Sequence, residues 1–210
     1  HEACRRSAKP CYGTKEQFDL FTNKLLFKNL CRRFQVPTVE EYVVETPLNY
    51  DSIKDLDYPI LLKPVDNSGG RGIFICETPE DILLNYSKSI SFSPSKQVLV
   101  ERYIKAKEVT IFYYVQNGQI LLTAMGDRHV KHFQSGIIPL PVAYTFPSVH
   151  LEKYKKSLHN KVVDLLKFTG IRNGIVFIQS FVENGECIFY EIGYRLTGSL
   201  EYKIISHASG

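Results

Sequence analysis

The chain has 210 residues, 44% of them hydrophobic and 23% charged, enough for one large globular domain or two small ones sharing a cleft. Its 26 basic and 22 acidic residues leave a net charge of +4, too mild for a nucleic-acid surface, which would gather Lys and Arg on one stripe with interleaved aromatics. Five cysteines without zinc spacing, and the lack of any apolar run long enough to span a bilayer, argue against a zinc module and a membrane protein and favour a reducing, cytoplasmic setting.

Residues 1–14 lack periodicity and read as an irregular lead-in; since the chain opens at His1, it reads as a piece of something longer. From residue 15 to residue 34 apolar side chains recur at helical spacing (Phe18, Phe21, Leu25, Leu26, Leu30, Phe34), with Thr14 or Thr22 as the cap. Val36-Pro37 ends this helix. A short strand over 41–44 and a polar helix start over 49–56 follow. Residues 59–64, an apolar run bounded by prolines, suit a buried strand. The turn segment Asp66-Asn67-Ser68-Gly69-Gly70-Arg71-Gly72 then leads into a strand over 73–76. Thr78 caps the next helix, with Pro79 at its first position and acids in its first turn.

Residues 97–103 predict a strand. Residues 108–115 and 119–125 predict a hairpin about Asn117-Gly118, and 174–181 with 186–192 a second about Asn184-Gly185. Between the hairpins lie an irregular stretch over 127–147 and a helix over 151–168 that stops at Gly170. The densest basic stretch, Lys153 to Lys156, falls on this helix as a solvated face. Cys31 and Cys76, set among apolar neighbours, read as buried small hydrophobes. The order of elements predicts an α+β fold, mostly antiparallel, in two lobes.

Three features carry chemistry. Gly69, Gly70 and Gly72 between two strands let the backbone approach a bulky anion, and Lys63 at the end of the preceding strand adds a point charge. The same glycines also serve a tight hairpin that needs positive φ. No Gly-Lys-Ser/Thr follows, which excludes a P-loop; a strand rather than a helix follows, which excludes a dinucleotide fingerprint. Second, Gln179 and Glu191 flank the final turn. If both share a face, they present two oxygens to one hard cation, and Arg195 could steady a transferring phosphoryl group. Third, the strand end Glu101-Arg102-Tyr103-Ile104, with Glu108 beyond it, could meet an adenine edge and ribose hydroxyls.

Taken in order, these motifs resemble the ATP-grasp superfamily, the fold of biotin carboxylase, carbamoyl-phosphate synthetase and D-alanine–D-alanine ligase, from about Thr22 to Leu200. The resemblance implies two α+β lobes with mostly antiparallel sheets gripping a nucleotide, and Lys63 and Glu191 on opposite sides of one triphosphate. Residues 15–50 would supply the opening helix and linker, 51–100 a small lid lobe and 101–210 the large lobe with the metal hairpin. Lys24 matches the lysine that reaches the phosphates, with Lys28 as fallback, and Lys63 the strand-borne lysine. Ser68, Gly69, Gly70, Arg71 and Gly72 match the closing loop. Glu101, Arg102, Tyr103 and Ile104 match the adenine strand, and Glu108 the acid at ribose. Gln179 and Glu191 match the metal ligands, and Arg195 the catalytic arginine, with Lys63 assisting. ATP and magnesium, or manganese in its place, are the implied cofactors. In two places the chain departs from the pattern: Gly193 stands where the family usually carries a metal-binding Asn, and Gln179 where many members carry an acid.

The implied activity is ATP-dependent activation of a carboxylate as an acylphosphate, followed by ligation to an amine or another nucleophile. Small-molecule carboxylate and amine substrates would be its partners, with an upstream domain or a second copy completing the acceptor site. Arg128, His129 and Lys131, in the long irregular stretch, would touch the acceptor carboxylate or be solvated loop residues. Gly193 favours a second reading, a nucleotide-binding regulatory module with a weakened metal site. A third reading is an α+β interaction domain with no nucleotide site.

Overall fold

The computed structural model describes residues 2–45, 47–67, 69–130, 141–198 and 201–209. They fall into two compact units: one takes in the chain through Thr38, Ala106–Val130 and the described residues from Pro141 on, the other Val39–Lys105.

The first unit opens with α1 (Glu2–Arg6), a short helix inside the stretch expected to be irregular. The predicted 15–34 helix is broken into α2 (Lys15–Thr22) and α3 (Lys24–Arg33). Asn23 makes the break, because its extended backbone ends α2 while its side chain accepts from the amides of Leu25 and Leu26 at 3.0 and 3.1 Å, capping α3. Thr14 caps α2 in a reciprocal box with Gln17. Thr22 caps nothing; its hydroxyl donates back to the Phe18 carbonyl at 2.8 Å.

The second unit holds β1 (Glu41–Tyr42), β2 (Ile60–Pro64), β3 (Phe74–Cys76), α4 (Pro79–Ser91) and β4 (Val98–Arg102). The strands form an antiparallel sheet in the order β1-β4-β2-β3. Helix α4 packs on β2 and β3 with Thr78 as cap, Asp81 closing the box and Pro79 at the first position. Ile53, Ile60, Leu62, Cys76, Ile82 and Val100 form the core of this unit. Residues 49–56, expected to begin a helix, make turns instead, held by the Asn49 carboxamide accepting from the Ser52 amide.

The chain then returns to the first unit with β5 (Lys107–Gln116), β6 (Gln119–Val130), β7 (Pro141–Thr145), α5 (Leu151–Ser157), α6 (His159–Phe168), β8 (Gly174–Glu183), β9 (Glu186–Gly193) and α7 (Glu201–Ser209). Five strands make one antiparallel sheet, β7-β6-β5-β8-β9. Both Asn-Gly turns are present, with φ of 51° and 82° at Asn117-Gly118 and 53° and 77° at Asn184-Gly185, the left-handed pair that matches strand twist. The stretch over 127–147 is more regular than its sequence suggests. β6 runs on to Val130 and pairs with β7, aligning Asp127 with Thr145 and Arg128 with Tyr144. The helix predicted over 151–168 is two, joined at Leu158 without a side-chain cap.

Alternation along the strands decides the layering. Val109, Ile111, Tyr113 and Val115 of β5, Met125 of β6, Val176 and Ile178 of β8 and Phe189 and Ile192 of β9 point to one face. Phe21, Phe27, Leu30, Cys31, Tyr154, Val162, Leu165 and Leu166 from α2, α3, α5 and α6 join that core. Cys31 and Cys76 are buried as expected, and burial pushes both thiols up to about 12.

Candidate functional site

The opposite face of the five-stranded sheet carries the polar side chains. Register sets them in rows. In the first row Glu108 of β5 faces Arg128 of β6. In the second, Gly126, Thr110, Gln179 and Glu191 follow one another across β6, β5, β8 and β9. In the third, Ala124, Phe112, Phe177 and Gly193 do the same.

A bulge in β9 shapes this face. The register slips between Gln179 and Ser180, so Tyr190 is the extra residue between Phe189, which enters the core, and Glu191, which faces Gln179. Tyr190 donates to the Glu108 carboxylate at 2.8 Å, and Arg128 forms an ion pair with the same oxygen while donating to the Tyr190 hydroxyl at 2.9 Å. Burial, then the adjacent Glu108 charge, keep the Tyr190 phenol neutral by raising its pKa well above the usual range. Arg128, a candidate for the acceptor carboxylate, is thus drawn onto Glu108, the residue expected near ribose. His129 hydrogen-bonds Thr145 across β6 and β7 at 2.7 Å. Lys131 lies outside the described residues.

Gln179 and Glu191 sit side by side, half-buried, and among the described residues neither side chain makes a hydrogen bond or an ion pair. One carboxylate and one amide oxygen on one face form a hard, oxygen-only donor set, the chemistry magnesium or manganese takes. Among the described residues no three His, Cys, Asp or Glu side chains converge, so a cation here would lean on neutral oxygens and on its substrate. The Arg195 guanidinium lies 5.0 Å over the Phe177 ring and donates to the Leu196 carbonyl.

Sequence reasoning missed Thr110. Its residue is 0% exposed, and among the described residues its hydroxyl finds no partner, although it stands directly beside Gln179. A valine or isoleucine would be the ordinary choice for a buried strand position, and the hydroxyl there is the signal that could have found it.

In the second unit Lys63 and Glu101, expected at the phosphates and the adenine, form an ion pair at 2.5 Å between neighbouring strands, with 4% and 1% exposure. Arg102 ends β4, and Tyr103 donates its amide to the Pro59 carbonyl at 3.3 Å. Ile104, just past the strand, is buried, and among the described residues its backbone makes no hydrogen bond.

The glycine segment divides by role. Gly69, Gly70 and Gly72 all have positive φ, between 72° and 76°. A side chain on Gly72 would meet Phe92 at 2.8 Å, whereas one on Gly69 would meet nothing within 4 Å. Gly72 is therefore fixed by packing, and Gly69 only by its backbone. Asp66 anchors the loop: it accepts from the Ser93 hydroxyl at 2.5 Å and the Ser95 amide at 2.9 Å. Burial alone would raise its pKa, but these hydrogen bonds hold it below the ordinary value. The Arg71 guanidinium donates to the Asn67 side-chain oxygen at 3.2 Å, and the Asn67 amide donates to the Arg71 backbone carbonyl. Ser68 lies outside the described residues. In the first unit, Lys24 opens α3 half-buried, and Lys28 is buried one turn on.

This pairing of a glycine-loop sheet with a polar-faced antiparallel sheet is the ATP-grasp architecture. Residues 23–210 match the profile of the carbamoyl-phosphate synthase L chain, ATP binding domain, and the chain belongs to that family. It is 25% identical over 203 residues to the carbamoyl phosphate synthase large chain of Clostridium acetobutylicum, covering 93% of this chain and 18% of that one. The chain thus spans under a fifth of that relative's length. Its fold is similar to the biotin carboxylase domain of Hydrogenobacter thermophilus 2-oxoglutarate carboxylase, solved as a dimer with MgADP, ADP and bicarbonate: TM-score 0.79, 20% identity, 98% of this chain and 46% of that one. Biotin carboxylase from Campylobacter jejuni, solved with β,γ-ATP, is similar at TM-score 0.77 and 20% identity, over 98% and 47%. No helix among the described residues is long and apolar enough to cross a membrane.

Proposed function

We propose that this chain is the ATP-binding unit of an ATP-grasp ligase, activating a carboxylate as an acylphosphate that an amine then attacks. The observation that carries the reading is the row in which Gln179 and Glu191 present unbonded oxygens side by side on a sheet face, in a chain that belongs to a family of ATP-binding domains. The relative solved with MgADP supports the nucleotide and the cation.

Gln179 and Glu191 would hold magnesium, or manganese in its place. When bound, the cation would neutralise charge on the β- and γ-phosphates. Lys24 and Lys63 would add positive charge toward the phosphates, Lys63 keeping two of its three protons beyond the one facing Glu101. Gly69, Gly70, Arg71, Gly72 and Ser68 would close over the triphosphate and exclude water, which would otherwise hydrolyse the intermediate. The free backbone of Ile104, with Glu101, Arg102 and Tyr103, would meet the adenine edge. In the reaction a carboxylate oxygen attacks the γ-phosphorus and ADP leaves. The amine then attacks the acyl carbon, phosphate leaves, and the amine gives up a proton. Positioning and charge neutralisation supply the rate, with Arg195 steadying the developing charge. Glu108, already held by Arg128 and Tyr190, would serve ribose through its remaining lone pairs.

A catalytically weak regulatory module is the second reading, favoured by Gly193. Nucleotide titrations of wild type and Glu191→Gln with ADP, with and without magnesium, separate the alternatives. A carboxylate ligand predicts that magnesium strengthens ADP binding in the wild type and that Glu191→Gln loses this gain. ADP release with added carboxylates then divides ligase from module. Equal affinity in the two proteins at every magnesium concentration removes Glu191 from the site and the ligase reading with it.

A further inference from the structure

The second and third rows of the polar face differ sharply in chemistry. At one end of the second row Thr110 is fully buried with its hydroxyl unpartnered among the described residues. Phe146 walls that end: a side chain on Gly126, Thr110's neighbour on β6, would meet the Phe146 ring at 2.5 Å. Gln179 is the next side chain along the row, with Glu191 beyond it. A buried hydroxyl bonded to nothing is unfavourable unless a ligand or an ordered water completes it.

The third row is closed to polar ligands. A side chain on Gly193 would meet the Phe177 ring at 2.3 Å, so that ring already fills the space where residue 193 would project. Arg195 then places a positive charge over the same ring. An apolar ring beneath a guanidinium disfavours a second dication on that side.

We infer that this chain holds a single divalent cation on the row Thr110–Gln179–Glu191, with the Thr110 hydroxyl bonding a water of the cation's shell and Phe177 barring a second cation. This rests on the nucleotide reading above and deepens it: a site of one carboxylate completed by neutral oxygens, in which the Phe177 ring fills the space beside Gly193.

The test uses manganese as probe, with ADP, read by electron paramagnetic resonance and calorimetry. Wild type is expected to bind one manganese per ADP. Thr110→Val keeps the shape and removes the oxygen, and is expected to weaken manganese binding by about tenfold, the usual effect of losing an outer-sphere partner, with ADP affinity in chelator unchanged. Thr110→Ser should bind like the wild type. The metal-free melting temperature separates this from a structural role: a purely structural hydroxyl would lower it in Thr110→Val, whereas an unpartnered one leaves it equal or higher. Gly193→Asn alone should gain no metal affinity, and Phe177→Ala with Gly193→Asn should admit a second manganese. Two manganese ions in the wild type, or unchanged affinity in Thr110→Val, overturn the inference while leaving the nucleotide reading standing. No ADP binding by the wild type, with or without manganese, overturns both.

Discussion

Lys63 and Glu101 form a buried ion pair in the second unit. The two side chains lie 2.5 Å apart with almost no exposure, on neighbouring strands of a sheet whose other buried members are apolar. A buried ion pair repays its desolvation only when both partners are present. Glu101→Leu, leaving the ammonium without its partner, is expected to cost about 3–5 kcal/mol of stability, whereas Lys63→Met with Glu101→Leu should cost much less. Urea unfolding of the two variants checks this; equal losses would mean that the pair does not act as a unit. The Glu108–Arg128–Tyr190 cluster obeys the same logic, since three groups from three strands satisfy one another in a place where any one alone would be unfavourable.

Asn23 and Gly72 are the residues on which elements turn. Asn23 ends one helix and caps the next, so Asn23→Ala removes two hydrogen bonds at the start of α3 and is expected to cost about 1 kcal/mol. Calorimetric unfolding reads that loss, and Asn23→Asp, which keeps the acceptor, should restore most of it. Gly72 combines a φ of 76° with the Phe92 ring in the path of any side chain. Gly72→Ala should therefore be more damaging than Gly69→Ala, which meets only the backbone strain of about 1 kcal/mol. A melt of the pair showing the reverse order would remove Phe92 from the account. The bulge at Tyr190 is the third such device, because without the extra residue Glu191 would turn into the core.

In the first unit helices α2, α3, α5 and α6 cover one sheet face, while Glu108, Arg128, Gln179 and Glu191 stand on the other. Inside the core the Tyr113 hydroxyl bonds Tyr154 at 2.6 Å and His159 Nδ1 at 3.0 Å. Burial, and then nearby Lys155, lower the His159 pKa below its ordinary 6.5. The folded state thus takes up a proton less readily than the unfolded chain. Stability is full above the unfolded value near 6.5 and falls as the pH drops through it toward the folded value. Denaturant melts between about pH 7.5 and about pH 5 should show this decline, and His159→Gln should flatten it. Ligand linkage acts on the molecule as well: magnesium with ADP at about a hundredfold its Kd should add about 2.7 kcal/mol to stability. A thermal shift in magnesium-ADP that Glu191→Gln reduces would tie that gain to the polar row.

Several outcomes with a local cause were determined by the sequence itself. Thr78-Pro79 and Thr14 announce helix starts because the cap and its amides lie within one turn, and the two Asn-Gly pairs announce hairpins because only left-handed residues turn two twisted strands. The spacing of Gln179 and Glu191 about their turn left their shared face open: regular pairing would set Gln179 against Tyr190, and only the bulge in β9 brings Glu191 opposite it. Partners far apart in the chain were decided by tertiary structure alone. Glu108 and Tyr190 are 82 positions apart, and no local pattern brings them together. The pairing of β6 with β7, hidden in a stretch that looked irregular, follows from a ladder between strands rather than from propensity. Gly193 reads in sequence as a missing ligand; only the folded sheet shows Phe177 in its place, because a ring from the neighbouring strand can fill a space that no position along its own strand describes.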